Sequence, residues 1–269
     1  MLLQYAFKDC REGVYIDTRA NGKLFSIARL CAKTKVSEVL IRELLFADDA
    51  GLTSHTEDGL QQLVCCLSHA CKEFGLTIIL KKMNFMAQDA DSPPTITING
   101  YNLEVDENDT HLGSTISSSL SIDAEVNGRI GKAAAVMTRL NQRVWNNLNL
   151  TEKTKLRVCQ VCVLSTLLYI SEAWTTYTSH ERKLNRFHLR CLRRILRIQW
   201  QDKLHNPGVL ERASMNNMFI ILSKTRLRWL GLVNSMDPGR IPKDLLCGEL
   251  AEGTRLTGRP RLRYKDVCK

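Results

Sequence analysis

No apolar run in the sequence approaches the roughly 20 residues that a membrane-spanning helix requires. The longest, Val161 to Ile170, is interrupted by Ser165 and Thr166. The first residues, MLLQYAFKDC, carry charge by Lys8 and lack the layout of a signal peptide. No internal repeat is visible. These absences argue against a membrane protein or a secreted one, and the expected location is intracellular, in the nucleus or the cytoplasm. Ten cysteines are present but without a secretory context. Cys71, Cys162 and Cys191 fall at core-like helix positions, so reduced thiols are expected rather than a disulfide framework. Cys159-x-x-Cys162 has no second Cys or His pair at zinc spacing. Cys65, Cys66, His69 and Cys71 form a single cluster on one helix, which does not supply four tetrahedral ligands.

What is present is a chain of 269 residues with 44% hydrophobic content, enough for one large domain or two modest ones with real cores. Its net charge of +10 is unevenly spread. Residues 1–110 hold 11 Lys and Arg against 16 Asp and Glu, and residues 111–269 hold 27 against 12. A mildly acidic part joined to a strongly basic one is the footprint expected when the basic part holds a polyanion.

The periodicity changes along the same line. Met1 to Asp9 reads as the end of a helix. Gly13–Thr18 and Lys23–Ala28 read as strands about Asn21-Gly22, and Val39–Ser54 as strand, turn and strand. Thr56–Phe74 is an amphipathic helix stopped by Gly75. Leu76–Met86 is expected to be a strand, Thr95–Val105 a hairpin about Asn99-Gly100, and His111–Ser117 a last short strand. Beyond residue 118 the spacing is helical: a helix through Ile130 to Val144, a second over Thr151–Ile170 buried in its latter half, and a third opened by a Thr178–Glu181 capping box. Helices over Pro207–Ala213 and Asn217–Ser235 follow, then a Gly-, Pro- and Arg-rich tail from Asp237, expected to be loosely ordered. The fold class is therefore α+β, an antiparallel sheet with a packed helix over residues 1–117. A helical region covers 118–200, and a helical, then loose, basic region covers 201–269.

Two stretches carry chemistry. LLFADDAGLTSH sets Asp48 and Asp49 side by side in an apolar run, which is costly unless a cation or a tight turn answers the charge. Two carboxylates on a turn suit Mg²⁺, which takes a few carboxylates with phosphate oxygens and water. On its own the pair is weak evidence, since Asp is common in solvated turns. The second stretch is the helix after Thr178. Leu184, Phe187, His188, Cys191, Leu192 and Ile195 make one apolar face, where His188 reads as a satisfied core histidine. Lys183, Arg186, Arg190, Arg193, Arg194 and Arg197 recur on the other face, with no acid from Arg182 to Arg197. Solvated charged helix faces usually mix signs. This one does not, and such a stripe suits sequence-independent contact with phosphates. Arg226, Arg228 and Trp229 could also contact a strand, although Trp229 beside Leu227 and Leu230 suits a core.

In order, FADD on a hairpin, an amphipathic helix, Gly75-Leu76, a strand with Lys81-Lys82, a hairpin and HLGSTIS resemble the palm of reverse transcriptases. More narrowly they look like that of LINE-type (non-LTR) retrotransposons. RIGKAAAVMTRLNQRVWNN, VCVLSTLLYISEAWT, FHLRCLRRILRIQWQDK, RLRWLGLVNSMD and TGRPRLRYKDVCK continue the resemblance through a thumb-like region to the end of the chain. The resemblance implies an RNA-directed DNA polymerase, a nucleotidyltransferase using Mg²⁺ on an RNA template and a DNA primer. Asp48 and Asp49 would be its metal-binding and catalytic carboxylates, and Lys82 the strand lysine that assists the pyrophosphate. His111, Leu112 and Gly113 would form the turn that grips the primer. Read from the residues alone, Lys82 is equally an exposed strand lysine and His111 equally an ordinary strand end.

The sequence departs from the family pattern at several places. His111 stands for an aromatic, Met83 for a small hydroxyl residue, Ile170 for a glycine and Leu232 for a histidine. The fingers, the strand bearing a further metal-binding aspartate and the nucleotide-positioning glycine segment precede the part that this chain matches. Asp17, in GVYIDTR, does not replace that aspartate. The expectation is a C-terminal polymerase fragment that is inactive alone and could associate with the missing upstream part. The alternative is a non-catalytic nucleic-acid-binding or interaction module derived from such an element.

Overall fold

The computed structural model describes residues 2–18, 36–47, 49–88, 94–252 and 262–268. The chain divides into two compact units, 1–113 with 117–120 and 233–260, and 114–116 with 121–232 and 261–269. The division falls around the expected position 118, but residues 233–260 return to the first unit. The expected strand over Lys23–Ala28 lies outside the described residues.

In the first unit α1 (Leu2–Ala6) leads into β1 (Val14–Thr18), which pairs antiparallel with β2 (Ser37–Ile41), Ile16 opposite Val39. The other edge of β1 pairs with β11 (Glu249–Leu250), Ile16 opposite Leu250, after helix α9 (Ile241–Cys247). This part of the tail is thus built into a sheet, not loosely ordered. Composition concealed this because glycine here serves close packing: a Cβ on Gly248 would meet Ile16 Cγ2 at 2.4 Å and Asp17 O at 2.9 Å.

Helix α2 (Glu57–Glu73) starts at Thr56, whose hydroxyl accepts from the Gly59 N–H at 3.1 Å. It ends in a Schellman turn, with Gly75 at φ 68° and the Leu76 N–H donating to Cys71 O at 2.8 Å. Its apolar side covers a small core of Val64, Phe85, Ile96, Ile98 and Leu103. A polar stripe beside it grips the hairpin of β6 (Thr97–Ile98) and β7 (Tyr101–Asn102). The Gln61 amide donates to Thr97 O at 2.7 Å and accepts from Thr97 N–H at 2.8 Å. Glu57 accepts from Thr95 N–H, and Lys72 donates to Asn99 Oδ1. Asn99 and Gly100 both have positive φ, 51° and 80°, as a two-residue type I′ hairpin needs.

The expected strand Leu76–Met86 is replaced by a 3₁₀ turn at Leu80–Lys82 and a two-residue β5 (Asn84–Phe85), parallel to β8 (Glu104–Val105). Leu80 and Met83 both pack on the small core, and that i, i+3 spacing suits a three-residue turn rather than a strand. His111–Ser117 is likewise no single strand: β9 (Asn108–His111) and β10 (Ser114–Ser117) pair about Leu112 and Gly113.

The second unit is helical, comprising α3 (Asp123–Arg139), a π turn at Asn141–Trp145, and α4 (Glu152–Val158) running through a π turn (Cys159–Leu164) into α5 (Ser165–Leu167). There follow α6 (Thr178–Ile195), α7 (Asn206–Arg212), α8 (Met218–Ser235, within this unit to residue 232) and α10 (Tyr264–Val267). Val126, Met137, Trp145, Cys159, Val163, Leu167, Leu184 and Leu222 share one core. The 151–170 run is buried on one side only, since Val161 and Tyr169 are exposed while Cys159, Val163 and Leu167 point inward at i, i+4 spacing. Glu125 and Arg129 form a buried pair at 2.7 Å, and Glu125 also accepts from the Thr115 N–H at 2.7 Å. Burial alone would raise the Glu125 pKa, but the Thr115 amide and the Arg129 guanidinium outweigh it and hold the carboxyl below its ordinary value. Lys155, also buried, donates to Trp145 O at 3.0 Å.

The expected capping box at Thr178–Glu181 is shifted. Tyr177 is the cap, its N–H donating to His180 Nδ1 at 3.1 Å, while His180 Nε2 donates to Asp123 Oδ1 at 3.1 Å. Glu181 is engaged instead by Thr176 and Arg226.

Candidate functional site

The acidic hairpin consists of β3 (Glu43–Phe46) and β4 (Asp49–Leu52), with Phe46 opposite Asp49 and Leu44 opposite Gly51. A two-residue connection, Ala47-Asp48, joins them, and Ala47 has φ 54°. Asp48 lies outside the described residues. Asp49 is exposed at the first pair of β4. Among the described residues β3 and β4 pair only with each other, and Leu44, Leu45 and Phe46 are 37%, 57% and 63% exposed. The flanking apolar residues that made the acids stand out in the sequence are therefore not buried around them. Among the described residues no three His, Cys, Asp or Glu side chains form a group able to hold a metal ion.

Lys82 sits exposed on the 3₁₀ turn, not on a strand. Leu112 and Gly113 form the turn between β9 and β10, with φ of 49° and 77°, and His111 ends β9. No hydrogen bond or ion pair joins Asp49, Lys82 and His111 among the described residues. Asp49, Lys82 and the His111–Gly113 turn thus lie on three separate short elements.

The basic stripe is better formed. Leu184, Phe187, His188, Cys191, Leu192 and Ile195 are buried on one side of α6. On the other, Lys183, Arg186, Arg190, Arg194 and Arg197 are exposed and Arg193 is half-buried. The hydrogen bonds these cations make go to neutral amides: Lys183 to Asn127, Arg193 to Asn206 at 2.7 Å and Arg194 to Asn141 at 2.9 Å. Among the described residues none of the six forms an ion pair with a carboxylate. Lys183 also acts on the Asp123 carboxyl, whose pKa is lowered first by the Ser121 hydroxyl, against a burial penalty, and then by His180 and Lys183. An amide orients a guanidinium without neutralising it, so the charge of this face remains available to an outside anion.

Three further residues singled out in the sequence have these surroundings. Arg226 is not available to a strand: it is 2% exposed, bonded to Thr176 Oγ1 and 3.3 Å from Glu181 Oε1. His188 is buried as expected, and the Asn216 backbone is the polar group set against its ring. Burial pushes its pKa down to about 4, against an opposing hydrogen bond with the Asn216 backbone. Trp229 is half-buried edge-on to Tyr264, ring centroids 5.3 Å apart. A residue the sequence reading passed over is Trp200, which is 84% exposed just beyond α6. Its signal was available, an indole flanked by Gln199 and Gln201 directly after a basic helix.

No helix among the described residues is long and apolar enough to cross a membrane. No family model matches the chain, and no solved structure matches it. The chain is similar to an uncharacterized transposon-derived protein of Caenorhabditis elegans, at 22% identity over 237 residues, which cover 85% of this chain and 84% of that protein.

Proposed function

We propose that the chain is of transposon origin, derived from a LINE-type reverse transcriptase, and that it binds nucleic acid without sequence preference through the basic face of α6. The single observation that carries the binding function is that none of six cations on and just beyond one helix is paired to a carboxylate among the described residues, while three of them, Lys183, Arg193 and Arg194, orient on neutral amides. Likeness to a transposon-derived protein over most of both chains supports the ancestry. So does Ile170, which stands where the family carries glycine and has φ 62°, a left-handed conformation natural to glycine and strained for a β-branched residue. Asp48 and Asp49 are the carboxylates that would serve Mg²⁺ in a complete palm, with Lys82 and the His111–Gly113 turn near the strand ends. The part of the palm that carries the further metal-binding aspartate precedes the part this chain resembles, so DNA synthesis is not proposed for this chain.

The test is the salt dependence of binding to a DNA duplex, measured by anisotropy. Replacing Arg190, Arg193 and Arg194 with Gln should make the slope of log K against log salt shallower by about 2 to 3, roughly one released counterion per lost phosphate contact. Replacing Asp48 and Asp49 with Asn should leave binding intact or strengthen it. An unchanged slope in the arginine variant overturns the assignment.

A further inference from the structure

The end of α6 is built unusually for a helix terminus. The Ile198 N–H donates to Arg193 O at 2.9 Å and the Arg197 N–H to Arg194 O at 3.4 Å, a Schellman turn with Arg197 at φ 53° in the position that glycine normally takes. Helix α2 closes with the same turn and does use glycine, at Gly75. A cation is thus held at the last step of the basic face in a conformation that an L-residue adopts only at a cost.

Directly after it, Trp200–Asp202 form a 3₁₀ turn. The Gln199 N–H donates to Asp202 Oδ2 at 2.7 Å, and the Lys203 N–H to Trp200 O at 3.3 Å. Arg193 reaches over to Asn206 at 2.7 Å, tying the helix end to the start of α7 on the far side of the turn. The turn is therefore fixed at both ends, yet it leaves its indole 84% exposed, while Trp145 and Trp174 are 3% and 4% exposed. A solvated aromatic ring carried on a held turn, flanked in sequence by Arg197 and Lys203 and following a cationic helix face, has the composition of a base-stacking platform.

We propose that Trp200 stacks on an unpaired nucleobase, and that the basic face therefore takes single-stranded nucleic acid in preference to duplex. This rests on the binding function proposed for α6 and specifies its substrate. In a duplex the base faces are covered by their neighbours, so an indole has nothing to stack on, whereas the phosphates remain accessible to the arginines. A single strand offers both.

The experiment compares the full-length chain with Trp200→Ala and Trp200→Phe, using anisotropy on labelled oligo(U), oligo(dT) and a DNA duplex at one salt concentration. Trp200→Ala should lose about tenfold or more in affinity for both single strands, within the range measured for single base–aromatic stacks. Its duplex affinity and its salt slope should not change, and Trp200→Phe should retain most single-strand affinity. Because the indole is almost fully exposed, circular dichroism should show an unchanged fold. Equal binding of single strands by Trp200→Ala, as expected if the indole serves a protein surface instead, overturns the proposal. So does an equal loss on duplex. If the arginine variants lower the salt slope while Trp200→Ala changes nothing, only the stacking fails. If the wild-type chain shows no salt-dependent binding at all, the function proposed for α6 fails with it.

Discussion

Set beside each other, the two units solve the same problem differently. In the second unit each helix satisfies its own backbone and needs neighbours only for its apolar side. A continuous core from Val126 to Leu222 supplies them. In the first unit the strands need partners for their hydrogen bonds, and the described strands fall into a three-stranded sheet and several two-stranded ones. The β3–β4 hairpin is the extreme case: properly formed in register, it presents Leu45 and Phe46 to solvent. A strand pair left uncovered exposes both its edges and its apolar side chains. That difference leaves the basic face of α6 backed by a packed core and the acidic hairpin uncovered among the described residues.

The contrast can be broken most strongly at Leu167, fully buried in the helical core. Leu167→Ala should cost about 2–5 kcal/mol in urea denaturation followed by far-UV dichroism. The same truncation at Leu45, 57% exposed, should cost about 0–0.5 kcal/mol. Equal costs would mean that the hairpin is packed in solution.

The second prediction concerns pH. His188 has its folded pKa lowered from 6.5 to about 4 by burial, so between those values the unfolded chain binds a proton that the folded chain does not. Stability should be complete above about pH 6.5 and fall as the pH drops toward 4, by about 3 kcal/mol at most. His188→Leu should flatten this part of the stability–pH curve. A wild-type curve flat between pH 6.5 and 4 would show that the ring is solvated or paired.

The smallest expected effect is a gain. Ile170→Gly should stabilise the helical unit by about 1 kcal/mol, seen as a raised midpoint, because it relieves a left-handed β-branched residue, with part of the gain lost to glycine's greater freedom when unfolded. A lowered midpoint would show that the isoleucine side chain contributes more packing than its backbone costs.

Much of this architecture was legible in the sequence where one signal acts locally. Thr56 and Gly75 bounded α2, Asn99-Gly100 set its hairpin, and the spacing of Leu184, Phe187, Cys191 and Ile195 set the buried side of α6. The misses share a cause, in that tertiary contacts overrode local pattern. Leu80 and Met83 pack together on the small core and turn an expected strand into a 3₁₀ turn. Gly248 is required by close approach to β1, which its own neighbours in sequence do not reveal. Of the candidate site, the cationic face was readable because charge and helical period coincide. The seclusion of Arg226 was not, because it depends on Thr176 and Glu181, some 50 residues earlier.

The grip of Gln61 on Thr97 has a further consequence. A strand edge ordinarily leaves its amide and carbonyl ready to receive another chain, and the first unit has many short edges. At Thr97 both groups are already taken, by the two ends of one side-chain amide that imitates a peptide unit. That edge is closed to recruitment. Among the described residues the margins of the β3–β4 hairpin carry no such guard, since those strands pair only with each other.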